Sequence, residues 1–364
     1  MNSRGVNGFI RAEGALLKDD SGSVLLKGIA FGNGVWANPA TPPKAHHTER
    51  SYEELSALGF NSVRFYLNYG LFEGDDAPYE YKQAGWDWLD WNIQAAKKHG
   101  IRLVLNMHYP QGGFQSNGNG MALWTDRQNQ ARLTALWAEI ARRYKDEPVI
   151  AALDLLNEPV VAERASLGET FAQWQDLAQG IADAVRGVNA NHMLMVERLN
   201  AYKNLETGVA NWDINMNGDF NFFLIDDANV AYQFHVYDPF VFTHQNASWV
   251  ESRRGVFAVY PDEANGFDKE YLEQCFTKYL RFGTANNVPV YLGEFGVIRY
   301  GFQEGRGGGR WVKDALDICR RHNINFNYHT YHEEAFGLYA NSANEYPDKL
   351  NEALYNALKE ALSG

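Results

Sequence analysis

The stretch Val149-Ile150-Ala151-Ala152-Leu153-Asp154-Leu155-Leu156-Asn157-Glu158-Pro159 is apolar almost throughout and closes on Asn-Glu-Pro. Apolar residues at successive rather than alternate positions are the pattern of a parallel strand covered on both faces. Seven further strand-like runs, most of them continuous as well, cover residues 24–31, 61–67, 101–108, 192–198, 230–237, 289–294 and 323–331. Between them the apolar period changes to that of a helix. Trp86, Leu89, Ile93 and Ala96 form one stripe, Leu133, Leu136, Trp137, Ile140, Ala141 and Tyr144 a second, and Phe171, Trp174, Leu177, Ile181 and Val185 a third. Ser51-Tyr52-Glu53-Glu54 reads as a capping box opening the first helix, and Gly59 as its end. Later helices are expected over 268–282, 310–321 and 347–362, with a weakly patterned one near 202–209.

Strand and helix in alternation imply a parallel sheet, and the closed solution at 364 residues is a (β/α)8 TIM barrel. An open doubly wound sheet is the alternative, but no GxGxxG follows the first run. Residues 7–22 predict a short N-terminal β-hairpin, turning at Asp19-Asp20-Ser21-Gly22, that plugs the bottom of the barrel. No Pro/Gly/Ser-rich linker interrupts the chain, so residues 1–364 are expected to form a single domain.

The composition, 45% hydrophobic and 21% charged, is that of a globular protein with a large core. A net charge of −12 argues against nucleic acid or acidic lipid as partner, since those are bound through basic patches. No run approaches the roughly 18 apolar residues of a membrane span, and residues 1–5 lack a signal-peptide core. Cys275 and Cys319 exclude a disulfide framework and read as two buried thiols.

In a barrel of this kind the polar residues that matter are those at the carboxyl ends of the strands. They are Arg64, His108, Asn157 and Glu158, His235 and Tyr237, Glu294, and His329. Two carboxylates that each close an apolar run are costly to bury without a task. Glycoside cleavage needs such a pair: one protonated to protect the departing oxygen, the other ionised to attack or to activate water.

Leu156-Asn157-Glu158-Pro159 with Gly293-Glu294-Phe295-Gly296 resembles glycoside hydrolase family 5, the cellulase family A group of retaining barrels. The resemblance spans essentially the whole chain and includes Arg64 in Asn61-Ser62-Val63-Arg64-Phe65, His108 in Asn106-Met107-His108, and His235-Val236-Tyr237. It implies a single catalytic barrel with Glu158 as general acid/base and Glu294 as nucleophile. Arg64, with Tyr237 as a hydrogen-bond donor, would keep Glu294 ionised. Asn157 would bind the 2-hydroxyl of the cleaved sugar, and His108 and His235 would bind hydroxyls or orient the carboxylates. The family pattern breaks in Phe326-Asn327-Tyr328-His329-Thr330-Tyr331, where His329 stands in place of an expected Trp. Either His329 itself underlies the sugar, or a loop aromatic such as Trp36 or Trp124 supplies the face.

The resemblance implies a retaining hydrolase of a β-glucan polysaccharide or oligosaccharide, foremost an endo-β-1,4-glucanase. β-Mannanase or exo-acting β-glucosidase of the same family, and a non-catalytic polysaccharide-binding barrel, are the alternatives. No cofactor, metal, nucleic-acid or membrane partner is expected, and the protein is expected to be a monomer. The substrate implies a secreted or periplasmic setting. Metal-assisted hydrolysis through His108, His235 and His329 is a further alternative. Glu197, Asp238, Glu333 and Glu334 read as bystanders unless one contacts a sugar. Trp212 and Trp249 fall in loops suited either to line a groove or to cap a patch. Residues 213–219 copy half a calcium loop, but Leu224 occupies the position of the bidentate Glu, so a polar turn is expected. Gly305-Arg306-Gly307-Gly308-Gly309 lacks a following Lys-Ser/Thr and reads as a loop.

Overall fold

The computed structural model describes residues 6–37, 40–43, 47–212, 214–333, 335–342 and 345–363. Residues 1–5, Asp213 and Glu334 lie outside the described residues. The eight apolar runs become eight strands, all pairing in parallel: β1 Lys27–Phe31, β2 Ser62–Asn68, β3 Arg102–Tyr109, β4 Ile150–Asp154, β5 Met193–Glu197, β6 Val230–His235, β7 Val290–Phe295 and β8 Asn325–Tyr328. They follow one another around a closed barrel, β8 pairing with β1. The register sets Arg64 beside Val104, Asn106 beside Asp154, Glu197 beside Gln233 and Glu294 beside His235. Residues far apart in sequence thereby converge on one end of the barrel.

The helices are α1 Glu49–Leu58, α2 Gln83–Lys98, α3 Arg127–Arg143, α4 Leu167–Arg186, α5 Lys269–Thr277, α6 Leu280–Asn286, α7 Gly308–Arg321 and α8 Glu352–Leu362. The first begins before the expected box: Thr48 is its cap, and Ser51 Oγ accepts the Thr48 N–H at 3.2 Å. The stretch 268–282 divides into α5 and α6. The last helix starts at Glu352 rather than 347, because the Asn351 side chain accepts the Leu354 N–H at 3.2 Å and fixes the first turn there.

The helix expected near 202–209 is absent. Ala201–Lys203 instead pairs in parallel with Val160–Ala162 and antiparallel with Ala210–Asn211. Asn204 dictates the change, since its Oδ1 accepts the N–H groups of Glu206 and Thr207 and closes a turn where a helix would continue. The N-terminal hairpin is likewise a three-stranded antiparallel sheet, Arg11–Glu13, Leu16–Asp19 and Gly22–Val24, with a second tight turn between Glu13 and Leu16. Val24 therefore belongs to this sheet, not to β1. Ile10, Leu17 and Leu26 pack against Val104, Met193, Met195 and Tyr291 and fill the barrel floor.

Three buried tryptophans tie the helices to the strand ends. Trp137 of α3 donates its indole N–H to the Leu155 carbonyl, Trp174 of α4 to that of Glu197, and Trp311 of α7 to that of Asp238. Each acceptor lies within three residues of a polar side chain at the barrel mouth. Cys275 and Cys319 are both buried free thiols, and among the described residues no helix is long and apolar enough to cross a membrane.

The plug is locked by charge. Arg102 of β3, buried, donates to Asp19 Oδ2 at 2.7 Å and to the Gly8 and Pro148 carbonyls at 3.0 and 3.1 Å. Asp19→Ala strands that guanidinium and is expected to lower stability by about 3 kcal/mol, measured by urea unfolding.

Candidate active site

Side chains alternate along a strand, so Arg64 and Tyr66 of β2 share the inward face. Arg64 is fully buried, and three of the partners of its planar fork lie within 2.9 Å. Nε–H donates to Asp154 Oδ2 at 2.8 Å, Nη1–H to Glu294 Oε1 at 2.7 Å and Nη2–H to Asn157 Oδ1 at 2.9 Å. Glu294 Oε1 also accepts the Tyr66 hydroxyl at 2.8 Å, while Oε2 accepts that of Tyr237 at 2.9 Å. Burial alone would raise the Glu294 carboxyl. His235, His329 and Arg64 outweigh it and hold the group well below the usual carboxylate range. It is an anion at neutral pH.

Glu158 follows β4 with φ of 42°, a left-handed conformation rare for a residue with a side chain. Its N–H donates to Glu197 Oε2 at 2.8 Å, and its Oε1 lies 3.0 Å from His235 Nδ1. The Glu158 side chain is 18% exposed against 6% for Glu294, so it is the one more open to solvent. One oxygen of each carboxylate and a ring nitrogen of His235 all lie within 4.8 Å of one another. Their nearest oxygens thus lie closer to the separation of about 5 to 5.5 Å of retaining carboxyl pairs than to the roughly 6.5 to 9.5 Å of inverting ones.

His235 is enclosed by acids. Burial would push its pKa down, but Glu197, then Glu294 and Glu158, raise it to about 9. The ring is an imidazolium at neutral pH and already supplies a cation between the carboxylates. Among the described residues the side chains close enough to share a metal ion are Glu158, His235 and Glu294, not the three histidines His108, His235 and His329. A metal there would have to displace the proton of His235.

Residues 19–331 match the family model described as cellulase, glycosyl hydrolase family 5. The chain belongs to that family. It is accordingly a glycoside hydrolase on the barrel that the sequence pattern implies. Among its relatives is Endoglucanase C of Acetivibrio thermocellus, 27% identical over 336 residues, covering 85% of this chain and 90% of that protein. Cellodextrinase A of Ruminococcus flavefaciens is 24% identical over 282 residues, 76% of each chain. The fold is shared with the crystal structure of endoglucanase Cel5A from the hyperthermophilic Thermotoga maritima, at a TM-score of 0.70 and 23% identity, over 91% of this chain and 96% of the other.

In this family 5 chain the structure brings Arg64, Asn157, Glu158, His235, Tyr237 and Glu294 into one connected network. Asn157 also donates to Ser116 Oγ at 2.9 Å. His108 stacks on Tyr66 with ring centroids 3.8 Å apart, and its Nδ1 pairs with Asn106 Oδ1 at 2.9 Å. Burial keeps that imidazole well below the ordinary histidine value and hence neutral. His329 reaches the site through Tyr66, whose oxygen accepts its Nδ1–H at 3.0 Å. Its ring lies 5.4 Å from Phe336, beside which Trp249 stands at 6.2 Å. Trp36, partly exposed, lies 6.4 Å from His108. Trp124 does not face a groove: it is buried, donates its indole N–H to Gln115 Oε1 at 2.8 Å and meets Trp174 edge-on. The apolar run Met121-Ala122-Leu123-Trp124 turns it into the core.

Two residues were passed over in the sequence. Tyr66 is signalled only by its spacing of two from Arg64. Glu197, taken as a bystander, is buried beside Glu158 and His235. Asp238 accepts the Tyr271 hydroxyl and Glu333 the Phe336 N–H. Asn215 and Asn217 close a polar turn on backbone N–H groups, as expected there.

Tyr66→Phe removes a donor to the charged form of Glu294 and leaves Arg64 alone on Oε1. The Glu294 pKa is expected to rise by about one unit, read by 13C titration of labelled glutamate, and an unchanged value would deny Tyr66 any hold on that carboxylate.

Proposed function

We propose that the protein is a retaining endo-β-1,4-glucanase that works by double displacement. The observation that carries this reading is the pair of carboxylates on either side of one imidazolium, one held ionised by Arg64 and two phenols, the other partly open to solvent. Glu294 would attack C1 as Glu158 passes its proton to the departing oxygen, so that a C1–O ester forms as the glycosidic bond breaks. Glu158, now anionic, would take a proton from water, whose oxygen attacks C1 and frees Glu294. Arg64, Tyr66 and Tyr237 orient Glu294, and Asn157 sits beside it within reach of a 2-hydroxyl. The endoglucanase names among the relatives support a β-glucan substrate. Trp249, 57% exposed, and Trp36, 37% exposed, offer faces for pyranose rings on the approach to the carboxylates. A polymeric glucan does not cross membranes, so the enzyme would act outside the cytoplasm, secreted or periplasmic, as a single-domain monomer without a cofactor.

Glu158→Gln and Glu294→Gln are each expected to cut kcat on barley β-glucan by about 10² to 10⁴-fold, with unfolding temperatures near that of the parent; full activity in either would refute the assignment. The first-formed reducing end should be the β-anomer by 1H NMR, whereas an α-anomer would mean inversion. Carboxymethylcellulose viscosity should fall faster than reducing ends accumulate, and hydrolysis of mannan instead would redirect the substrate. Trp249→Ala is expected to cost about 1 kcal/mol of binding to long glucans, roughly fivefold in KM, while kcat on a short aryl glycoside stays constant.

A further inference from the structure

Glu197 ends β5 with its side chain almost fully buried. A buried acid with no counter-charge is unfavourable, and among the described residues no arginine or lysine forms a salt bridge with Glu197. Its Oε2 is spent elsewhere. It accepts the Glu158 N–H at 2.8 Å and the Gln233 amide at 3.1 Å, and it lies 3.5 Å from His235 Nε2. That last contact is too poorly aligned for a hydrogen bond but close enough for an ion pair. The other nitrogen of the same ring faces Glu158 Oε1. One carboxylate therefore grips both the backbone of residue 158 and, through an imidazole, its side chain. Gly293 makes room for this arrangement, because a Cβ there would stand 2.5 Å from the Gln233 side chain that reaches Glu197.

Resting on the double-displacement reading above, we infer that Glu197 is a positioning residue for Glu158: it keeps His235 positively charged beside that carboxylate and clamps its backbone in the left-handed turn. When Glu158 gives up its proton to the departing oxygen, the new anion meets a cation already in place. No proton need leave or enter the trio for that charge to be met. The groups facing Glu197 and His235 from every side are Glu158 and Asp154 from β4 and the turn after it, Glu294 on β7, Arg64 on β2 and His108 on β3. Of these, Glu197 is the strongest raiser of His235, which stands at about 9, and its own carboxyl is pushed up to about 7 by burial and lowered in part by His235. Removing the Glu197 charge makes the imidazolium less favourable, so the His235 pKa falls.

The test is the pH profile of kcat/KM for the full chain carrying Glu197→Gln, which keeps an acceptor for the Glu158 N–H and loses the charge. The alkaline limb is expected to move down by about one pH unit or more, with kcat on barley β-glucan reduced by about tenfold to a hundredfold. On an aryl β-glycoside whose leaving group needs no protonation the loss should shrink. Glu197→Asp, which retains the charge, should keep the limb near its original place. An unmoved limb in Glu197→Gln, or equal losses on both substrates, would overturn the inference and leave Glu197 a structural residue. Should Glu197→Gln not fold, the imidazole of His235 in the parent protein, assigned by its disappearance in His235→Gln, decides the matter by NMR: a neutral ring at neutral pH overturns it. Failure of the mechanism itself is separate, since it would show as activity in Glu158→Gln whatever Glu197 does.

Discussion

Arg64 is the constraint on which the mouth of this barrel depends. A guanidinium cannot be discharged inside a protein, and one with no solvent contact must find every partner from the chain. Here the partners are Asp154 and Asn157 from β4 and the turn after it and Glu294 from β7, so one side chain on β2 fixes the relative positions of opposite walls. The planar fork leaves little angular freedom, which a lysine's single ammonium would not match. Tyr66 and His108, stacked beside it, extend that rigidity to β3, and His329 is tied to the same phenol from β8.

A second layer of control is electrostatic. The site holds Glu158, Glu197 and Glu294 around His235, and the ring closes the charge balance that burial would otherwise break. The two reactive carboxylates are thus treated unequally by position alone. Glu294 accepts from Arg64 and Tyr66 on β2 and from Tyr237 just past β6, while Glu158 meets one imidazole and solvent. In the proposed mechanism, that inequality is what separates an attacking group from a proton donor.

Much of this was legible in the sequence, because parallel buried strands write themselves as unbroken apolar runs and a barrel puts their last residues together. Glu158, His235, Tyr237 and Glu294 stand at or beside the ends of such runs, and Arg64 is the one charge inside another. What escaped had a physical reason in each case. Tyr66 lies two residues past Arg64 inside the run, where a phenol reads as core. Glu197 looked like one of several acids near strand ends, and only the ladder between β5 and β6 brings it to His235. The missing helix near 202–209 turned on the hydrogen bonds of a single side chain, Asn204, which no periodicity reports. Trp124 has the composition of a sugar platform, but its indole N–H found a partner in the interior.

The left-handed backbone at residue 158 has an evolutionary consequence. For a residue bearing a Cβ such a conformation costs about 1 to 2 kcal/mol, which glycine would avoid and asparagine would lessen. Those replacements delete the carboxylate. If Glu158 is the proton donor proposed above, selection for thermal tolerance and selection for turnover pull in opposite directions at one codon, and a library screened by heat alone would drift toward sturdier, inert barrels.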